Sequence, residues 1–427
     1  MNRKRHLRSA LASLVATAAL VACGSEGSRS FDPGATSGGE NTPPAGSSGD
    51  LNTSGGTPKD PVGIGTLTGT VLAPEGTVPI SSALVYLADA MPARLPGAVY
   101  CDKCVELPAG TPYTYSKADG SFSMPFYKEG EQILVVQKGN FRRARKVTVK
   151  AGTAAIAKGF TTLPGFTNPD VGDEIPRIGV AFGGFDKIEL SLTKLGIKSF
   201  DRYGKDPILD PKGLPPSIGQ PMDLVNSPEK LAQYHIVLLP CALGGLNCGA
   251  PSAAQKTNLQ NYVKSGGKLY VTDYSYEYVN QTWPGFITWR GKDGKDLTAS
   301  SAWGSACQEG AYTKSGKADD PGLGAWLGAI GETSFDLKDS WTVISKVNPM
   351  PSTDPDGKPI TMTPKVWMTS VGTGPSTVSF ESQCGRVLFS TYHAEGGEEV
   401  ALLAQEKALL YILLEVGVCV GKMPPPR

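Results

Sequence analysis

Arg177-Ile178-Gly179-Val180-Ala181-Phe182 is a short apolar run between Pro176 and the pair Gly183-Gly184, and its reading decides the fold of the larger part of this chain. A run of this length bounded by turn residues reads as a strand buried on both faces. Downstream, Asp186 to Leu195 has a helical pattern and Ile197-Lys198-Ser199-Phe200 reads as a second strand. His235-Ile236-Val237-Leu238-Leu239 follows, then a helix near Ala253 to Lys264, then Lys268-Leu269-Tyr270-Val271-Thr272-Asp273. Val387-Leu388-Phe389-Ser390-Thr391-Tyr392 and a helical stretch from Glu398 to Glu415 close the unit. Strands alternating with helices at this spacing predict an α/β doubly wound, mostly parallel sheet over residues 175–422. The stretch from about Asn280 to Val343 reads as a loop-rich insertion or cap.

Upstream the period changes. Between residues 65 and 162 lie Leu67-Thr68-Gly69-Thr70-Val71, Ala83-Leu84-Val85-Tyr86-Leu87, Ser121-Phe122-Ser123-Met124, Gln132-Ile133-Leu134-Val135-Val136 and Lys146-Val147-Thr148-Val149. Short alternating runs separated by turns predict a small all-β sandwich. The order Gly69-Thr70-Val71, Ile80 to Val85, then Ala118-Asp119-Gly120-Ser121-Phe122 resembles the carboxypeptidase regulatory-like (transthyretin-like) domain. The resemblance implies a turn at Asp119-Gly120 before a Phe-bearing strand, and no catalytic residues.

The N-terminus pairs a basic stretch, Met1 to Arg8, with an apolar run from Ala10 to Ala22, the layout of a secretory signal. That run is short for a membrane span. It ends in Leu20-Val21-Ala22-Cys23-Gly24, which resembles the lipobox of bacterial lipoproteins. The resemblance implies cleavage after residue 22, a lipid on Cys23, and a membrane as partner through that lipid. Gly24-Ser25 lacks the aspartate that favours inner-membrane retention in such proteins, so the expected location is the cell envelope, at the outer membrane. Residues 24–64 are mostly Gly, Ser, Thr, Pro and Asn with few apolar residues, which predicts a flexible tether spanning about 35 Å as a random coil.

With 427 residues the chain is long enough for two or three cores, and a net charge of +1 without a basic run outside the signal argues against a nucleic-acid partner. The basic patch Lys138, Arg142, Arg143, Arg145, Lys146 reads as the solvated edge of a strand. Of eight cysteines, one is assigned to the lipid and seven remain in a compartment that permits disulfides. Spacing suggests Cys101 with Cys104 and Cys241 with Cys248, leaving Cys307, Cys384 and Cys419 to compete for one more; connectivity does not follow from sequence. Cys101-Asp102-Lys103-Cys104 has no second CxxC to complete a zinc site. Mature protein keeps only His235 and His393, which excludes zinc sites built from several histidines. Gly183-Gly184 lies where a ligand meets a helix N-terminus, but without a GxGxxG; Asp186 is a candidate cap for that helix. The sequence therefore implies neither a cofactor nor a metal.

Leu238-Leu239-Pro240 with Gly244-Gly245, and His393-Ala394-Glu395 after the late strand, resemble the class I glutamine amidotransferase-like, flavodoxin-like fold. The family's Gly-x-Cys-x-Gly elbow would follow Leu269 to Asp273. Asp273-Tyr274-Ser275-Tyr276-Glu277 stands there instead, without the cysteine or either glycine. The resemblance thus implies a degenerate module, non-catalytic, serving in binding or assembly. Its rival is a hydrolase using Ser275 as nucleophile, His393 as base and Glu395 to orient the ring. Open α/β sheets bind ligands at the carboxyl ends of their strands. That edge would gather Phe182, Gly183, Gly184, Cys241, Asp273, Tyr274, Ser275 and His393. Beyond it, Tyr270, Tyr274, Tyr276, Tyr278, Trp283, Phe286, Trp289 and Trp303 form either a stacking platform for a glycan or peptide, or packing between cap and sheet.

Overall fold

In the computed structural model, residues 63–416 are described, except 103, 105, 209 and 395–400. Cys23, the tether, Glu395 and Cys419 lie outside the described residues. The chain is mostly β, with a few helices and several sheets. Strands β1 (Gly65–Thr70), β2 (Leu84–Ala88), β3 (Tyr113–Tyr115), β4 (Ser121–Phe126), β5 (Gly130–Lys138), β6 (Phe141–Val149), β7 (Gly152–Ala155) and β8 (Asp173–Glu174) form two sheets, ordered β4-β1-β7 and β3-β2-β5-β6-β8. In β4 the alternation is strict: Phe122, Met124 and Phe126 are buried between exposed or half-buried neighbours. These three pack with Leu134 and Val136 of β5, whereas Ile133 and Val135 face the other way onto Leu84, Tyr86 and Tyr113. The period of two in β5 therefore serves two apolar clusters at once. The Asp119-Gly120 turn is present: Gly120 has φ +75°, and Asp119 Oδ1 accepts from the Ser121 backbone N–H and hydroxyl.

The basic patch on β6 is not a solvated edge. Arg142 is paired with Glu174, Arg143 and Arg145 grip Asp173, and Lys138 is paired with Glu415. Lys138 and Arg142 are buried. The two-residue β8 pairs along this edge of β6, Arg142 opposite Glu174 and Arg143 opposite Asp173, and supplies the countercharge of the three arginines, while Glu415 supplies that of Lys138 and Lys146 stays exposed beside Glu131.

A nine-stranded sheet fills the rest. It is built from β9 (Ile178–Ala181), β10 (Asp201–Tyr203), β11 (Ile236–Leu239), β12 (Lys268–Thr272), β14 (Tyr312–Ala318), β15 (Asp336–Ser340), β19 (Lys365–Ser370), β20 (Gly374–Ser382) and β21 (Gly385–Ser390), in the order β10-β9-β11-β12-β21-β20-β19-β14-β15. Two further two-stranded antiparallel sheets are formed by β13 (Ile287–Trp289) with β16 (Ile344–Val347) and by β17 (Met350–Thr353) with β18 (Pro359–Met362). From β10 to β21 all neighbours are parallel; from β21 to β15 all are antiparallel. The sheet is thus mixed, and β14 and β15, from the stretch expected to be an insertion, continue it. Pairing of the second strand begins only at Asp201 with Gly179. Ile197 and Phe200 are buried as coil and fill the core rather than the ladder.

Cys101 is bonded to Cys384 and Cys248 to Cys307, while Cys241 is free and buried. Cys104 is also disulfide-bonded, though not to Cys101. Both short-range pairings are therefore overturned. The loop after β11 turns away at Ala242 (φ +55°), carrying Cys248 to Cys307 and leaving Cys241 in the sheet's interior. The sandwich and the nine-stranded sheet share one apolar cluster, from Leu67 and Phe122 to Leu388 and Leu413. Trp326 Nε1 donates to Pro79 O across that junction at 2.8 Å. No helix among the described residues is long and apolar enough to cross a membrane.

Candidate functional site at the carboxyl edge of the parallel strands

Parallel register brings the site together. Leu239 is level with Val271, and Thr272 with Ser390. Two residues past the first pair, Cys241 and Asp273 therefore come side by side, and His393 follows just beyond β21. Donor atoms of Cys241, Asp273 and His393 all lie within 4.8 Å of one another, and all three residues are buried. Asp273 Oδ2 is the common point, 4.0 Å from Cys241 Sγ and 3.3 Å from His393 Nε2. The latter is an ion-pair distance without the alignment of a hydrogen bond, so Nε2 is left without a hydrogen-bond partner.

The supports of these side chains explain their order. Asp273 has φ +44°, a strained conformation for a non-glycine residue. Its carboxylate accepts from Trp341 N at 3.1 Å and from Thr342 Oγ1 at 2.8 Å. His393 is held through its backbone: its carbonyl accepts from Gln405 Nε2, and the next N–H, of Ala394, donates to Asp186 Oδ1 at 3.0 Å. Asp186 does not cap the helix Ile188–Lys194, whose N-cap is Lys187. Fully buried, it accepts from Thr272 Oγ1 at 2.9 Å and so ties the end of β12 to the loop after β21. Gly183 and Gly184 serve a close approach of two loops: Gly184 N donates to Ala242 O at 3.0 Å, and a Cβ on Gly183 would stand 2.7 Å from Cys241 O.

Electrostatics at the site follow first from burial. Burial raises the Asp273 pKa to about 6, although His393, Thr342 and Trp341 pull it down. Burial alone would lower the His393 pKa, but Asp273, Asp186 and Asp339 together outweigh it and the imidazole is held above its ordinary value. Burial, and then Asp273, push the Cys241 thiol far up; the Tyr274 backbone N–H beside the sulfur works in the other direction. A thiol so placed is protonated and a poor nucleophile. Ser275 is one turn away yet otherwise engaged: its hydroxyl donates to Pro240 O at 2.6 Å and accepts from Leu243 N at 3.0 Å. Among the described hydrogen bonds, Ser275 and His393 share none. Glu395 lies outside the described residues.

The aromatic residues divide cleanly. Tyr270, Tyr274, Tyr276, Tyr278, Trp283, Phe286 and Trp289 are buried, and only Trp303 is exposed, at 65%. Phe286 stacks on Phe380, and Trp283 meets the same ring edge-on. His235 is a satisfied structural histidine: Nδ1 accepts from Arg177 N at 2.8 Å, which leaves the proton on Nε2 for Pro96 O. Sequence reasoning reached Cys241, Asp273 and His393 through the strand-edge rule. It missed Asp186 as a bridge and Trp341 and Thr342 as partners of Asp273; the latter two stand 68 and 69 positions away without a motif.

No family model matches this chain, and no curated protein matches it. Among solved structures it is similar to a ThuA-like protein from Bacteroides uniformis, at 13% identity and TM-score 0.32, over 58% of this chain and 94% of that one. A cytoplasmic protein from Salmonella typhimurium is similar at 12% identity and TM-score 0.34, over 56% and 98%. A GH42 β-galactosidase from G. stearothermophilus is similar at 13% identity and TM-score 0.29, over 58% of this chain but 31% of that enzyme.

Proposed function

We propose that this is a lipid-anchored protein of the cell envelope, held at the outer membrane through Cys23, whose amidotransferase-like, flavodoxin-like region binds or assembles rather than hydrolyses. The observation that carries the non-catalytic half is the hydroxyl of Ser275, spent on Pro240 O and Leu243 N in a buried loop junction. A nucleophile needs a base within hydrogen-bond reach, and His393 faces Asp273 instead. The partner on this reading is another envelope protein or a glycan. Burial of Trp283 and Trp289 removes the obvious stacking platform and favours the protein.

Two measurements test the proposal. Metabolic labelling with a fatty-acid analogue should mark the wild type and not Cys23→Ser, with membrane association lost in the same variant; equal labelling of both would end the anchoring idea. In a panel of ester, amide and glycoside substrates, no turnover is expected. Any turnover that falls in both Ser275→Ala and His393→Ala would replace the binding role with the hydrolase.

A further inference from the structure

The geometry points to Cys241, Asp273 and His393 as a binding site for a Zn2+-class divalent cation, a site that stands independently of the anchoring and binding roles above. Three donors of the right chemistry converge: a thiol, a carboxylate oxygen and an imidazole nitrogen, all within 4.8 Å of one another. With Zn–S bonds of about 2.3 Å and Zn–N or Zn–O bonds of about 2.0 Å, a tetrahedral centre sets its donors about 3.3 to 3.6 Å apart. Asp273 Oδ2 is 3.3 Å from His393 Nε2 and 4.0 Å from Cys241 Sγ, and Sγ lies within 4.8 Å of the imidazole nitrogen, so contraction on the cysteine side completes the triangle.

A second, independent observation is the orphaned imidazole nitrogen. His393 is 8% exposed, and its Nε2 has no hydrogen-bond partner, the Asp273 carboxylate standing 3.3 Å away at ion-pair distance. A buried polar atom without a hydrogen bond is unfavourable, and a metal bond at that nitrogen would satisfy it. The remaining carboxylate oxygen is already held: Asp273 Oδ1 accepts from Thr342 Oγ1 and Trp341 N. That is the outer support expected of a metal-bound carboxylate; Oδ2, which shares the Trp341 N–H at 3.1 Å, is the oxygen nearest His393 and Cys241.

Charge balance agrees. Binding displaces the thiol proton to solvent, so that thiolate and carboxylate carry two negative charges against the two positive charges of the ion, with His393 neutral. The result is a neutral cluster beside the buried carboxylate of Asp186. Sulfur and nitrogen donors select Zn2+-class ions over Mg2+ or Ca2+. Three protein donors leave one position for water or an external ligand.

The full chain, stripped with chelator and its disulfides kept intact, is titrated with Co2+ alone, both as the folded protein and during refolding from urea. One equivalent should bind with a thiolate-to-cobalt charge-transfer band in the near ultraviolet, displaced by Zn2+. Cys241→Ser, its fold checked by circular dichroism, should lose the band. His393→Gln should weaken Co2+ binding at least tenfold, of the order found for perturbed metal shells. Failure of the wild type to take up one equivalent by either route overturns the site. So does a charge-transfer band that survives in folded Cys241→Ser.

Discussion

The Ser275 hydroxyl donates to Pro240 O and accepts from Leu243 N, and neither backbone group has water to replace it. Ser275→Ala strands both, so urea unfolding should show stability lowered by about 1–3 kcal/mol, read as a lower midpoint with an unchanged slope. A variant as stable as wild type would mean that the loop junction relaxes. Glu189 offers a pH-dependent counterpart. It is buried, with Oε2 unbonded and Arg202 3.7 Å from Oε1; burial lifts its pKa from 4.5 to about 7 against the pull of its backbone and Arg202. A folded-state value above the unfolded one means the native state holds more protons between these limits. Stability from Glu189 is therefore complete below about pH 4.5 and is lost as the pH rises through about 7. Glu189→Gln should gain stability relative to wild type as pH rises across that window, by on the order of 1–3 kcal/mol. Chemical denaturation at both ends checks it, and a pH-independent difference would refute it.

At the scale of elements, the helix Ala253–Lys264 begins with a capping box. Ser252 Oγ accepts from Gln255 N, and Gln255 Oε1 accepts from Ser252 N. Ser252→Ala should cost about 1 kcal/mol, read as a drop in thermal midpoint, because the Gln255 N–H loses its acceptor while the bond from the residue-252 N–H to Gln255 Oε1 remains. This helix was legible in the sequence to the residue, since both ends carry chemical signals: Ser252 before it and Gly266 after it, at φ +110°. Strands β9, β11 and β12 were legible for another reason, being buried on both faces and so apolar without interruption. The antiparallel strands β19 and β20 were not. Gly374 to Ser382 mixes Gly, Pro, Ser and Thr with two large apolar residues, Val378 and Phe380. Its pairing with β21 is recorded only in the register, Val378 against Phe389 and Phe380 against Val387. The missed disulfides have the same cause, since Cys384 sits in the β20–β21 turn and reaches Cys101 over 283 positions.

For the whole molecule, the strand-edge rule located the site because parallel register alone makes Cys241 and Asp273 neighbours, whereas nothing in the sequence says how the sandwich meets the sheet. That junction is extensive and chemically mixed. Besides the shared apolar cluster, Trp326 Nε1 donates to Pro79 O, Lys268 Nζ reaches Asn140 Oδ1 at 3.2 Å, and Lys138 pairs with Glu415. The Cys101–Cys384 bond closes the connection covalently. A sandwich of this size standing alone buries a smaller fraction of its surface than a larger domain does, while here its inner face is continuous with the larger core. Two regions that share one core unfold together, because exposing the interface of either costs both. Scanning calorimetry should therefore give a single transition for residues 63–416, with calorimetric and van't Hoff enthalpies equal. Trp326→Phe keeps the ring but loses the bond to Pro79 O, and should lower the midpoint by the equivalent of about 1 kcal/mol without splitting the peak. Replacing Cys101 and Cys384 by serine removes a cross-link worth up to about 5 kcal/mol in the chain-entropy account. The peak should shift down strongly and stay single, since the apolar cluster remains. Two resolved transitions in the wild type would show that the sandwich is thermodynamically its own unit and that the junction only docks it.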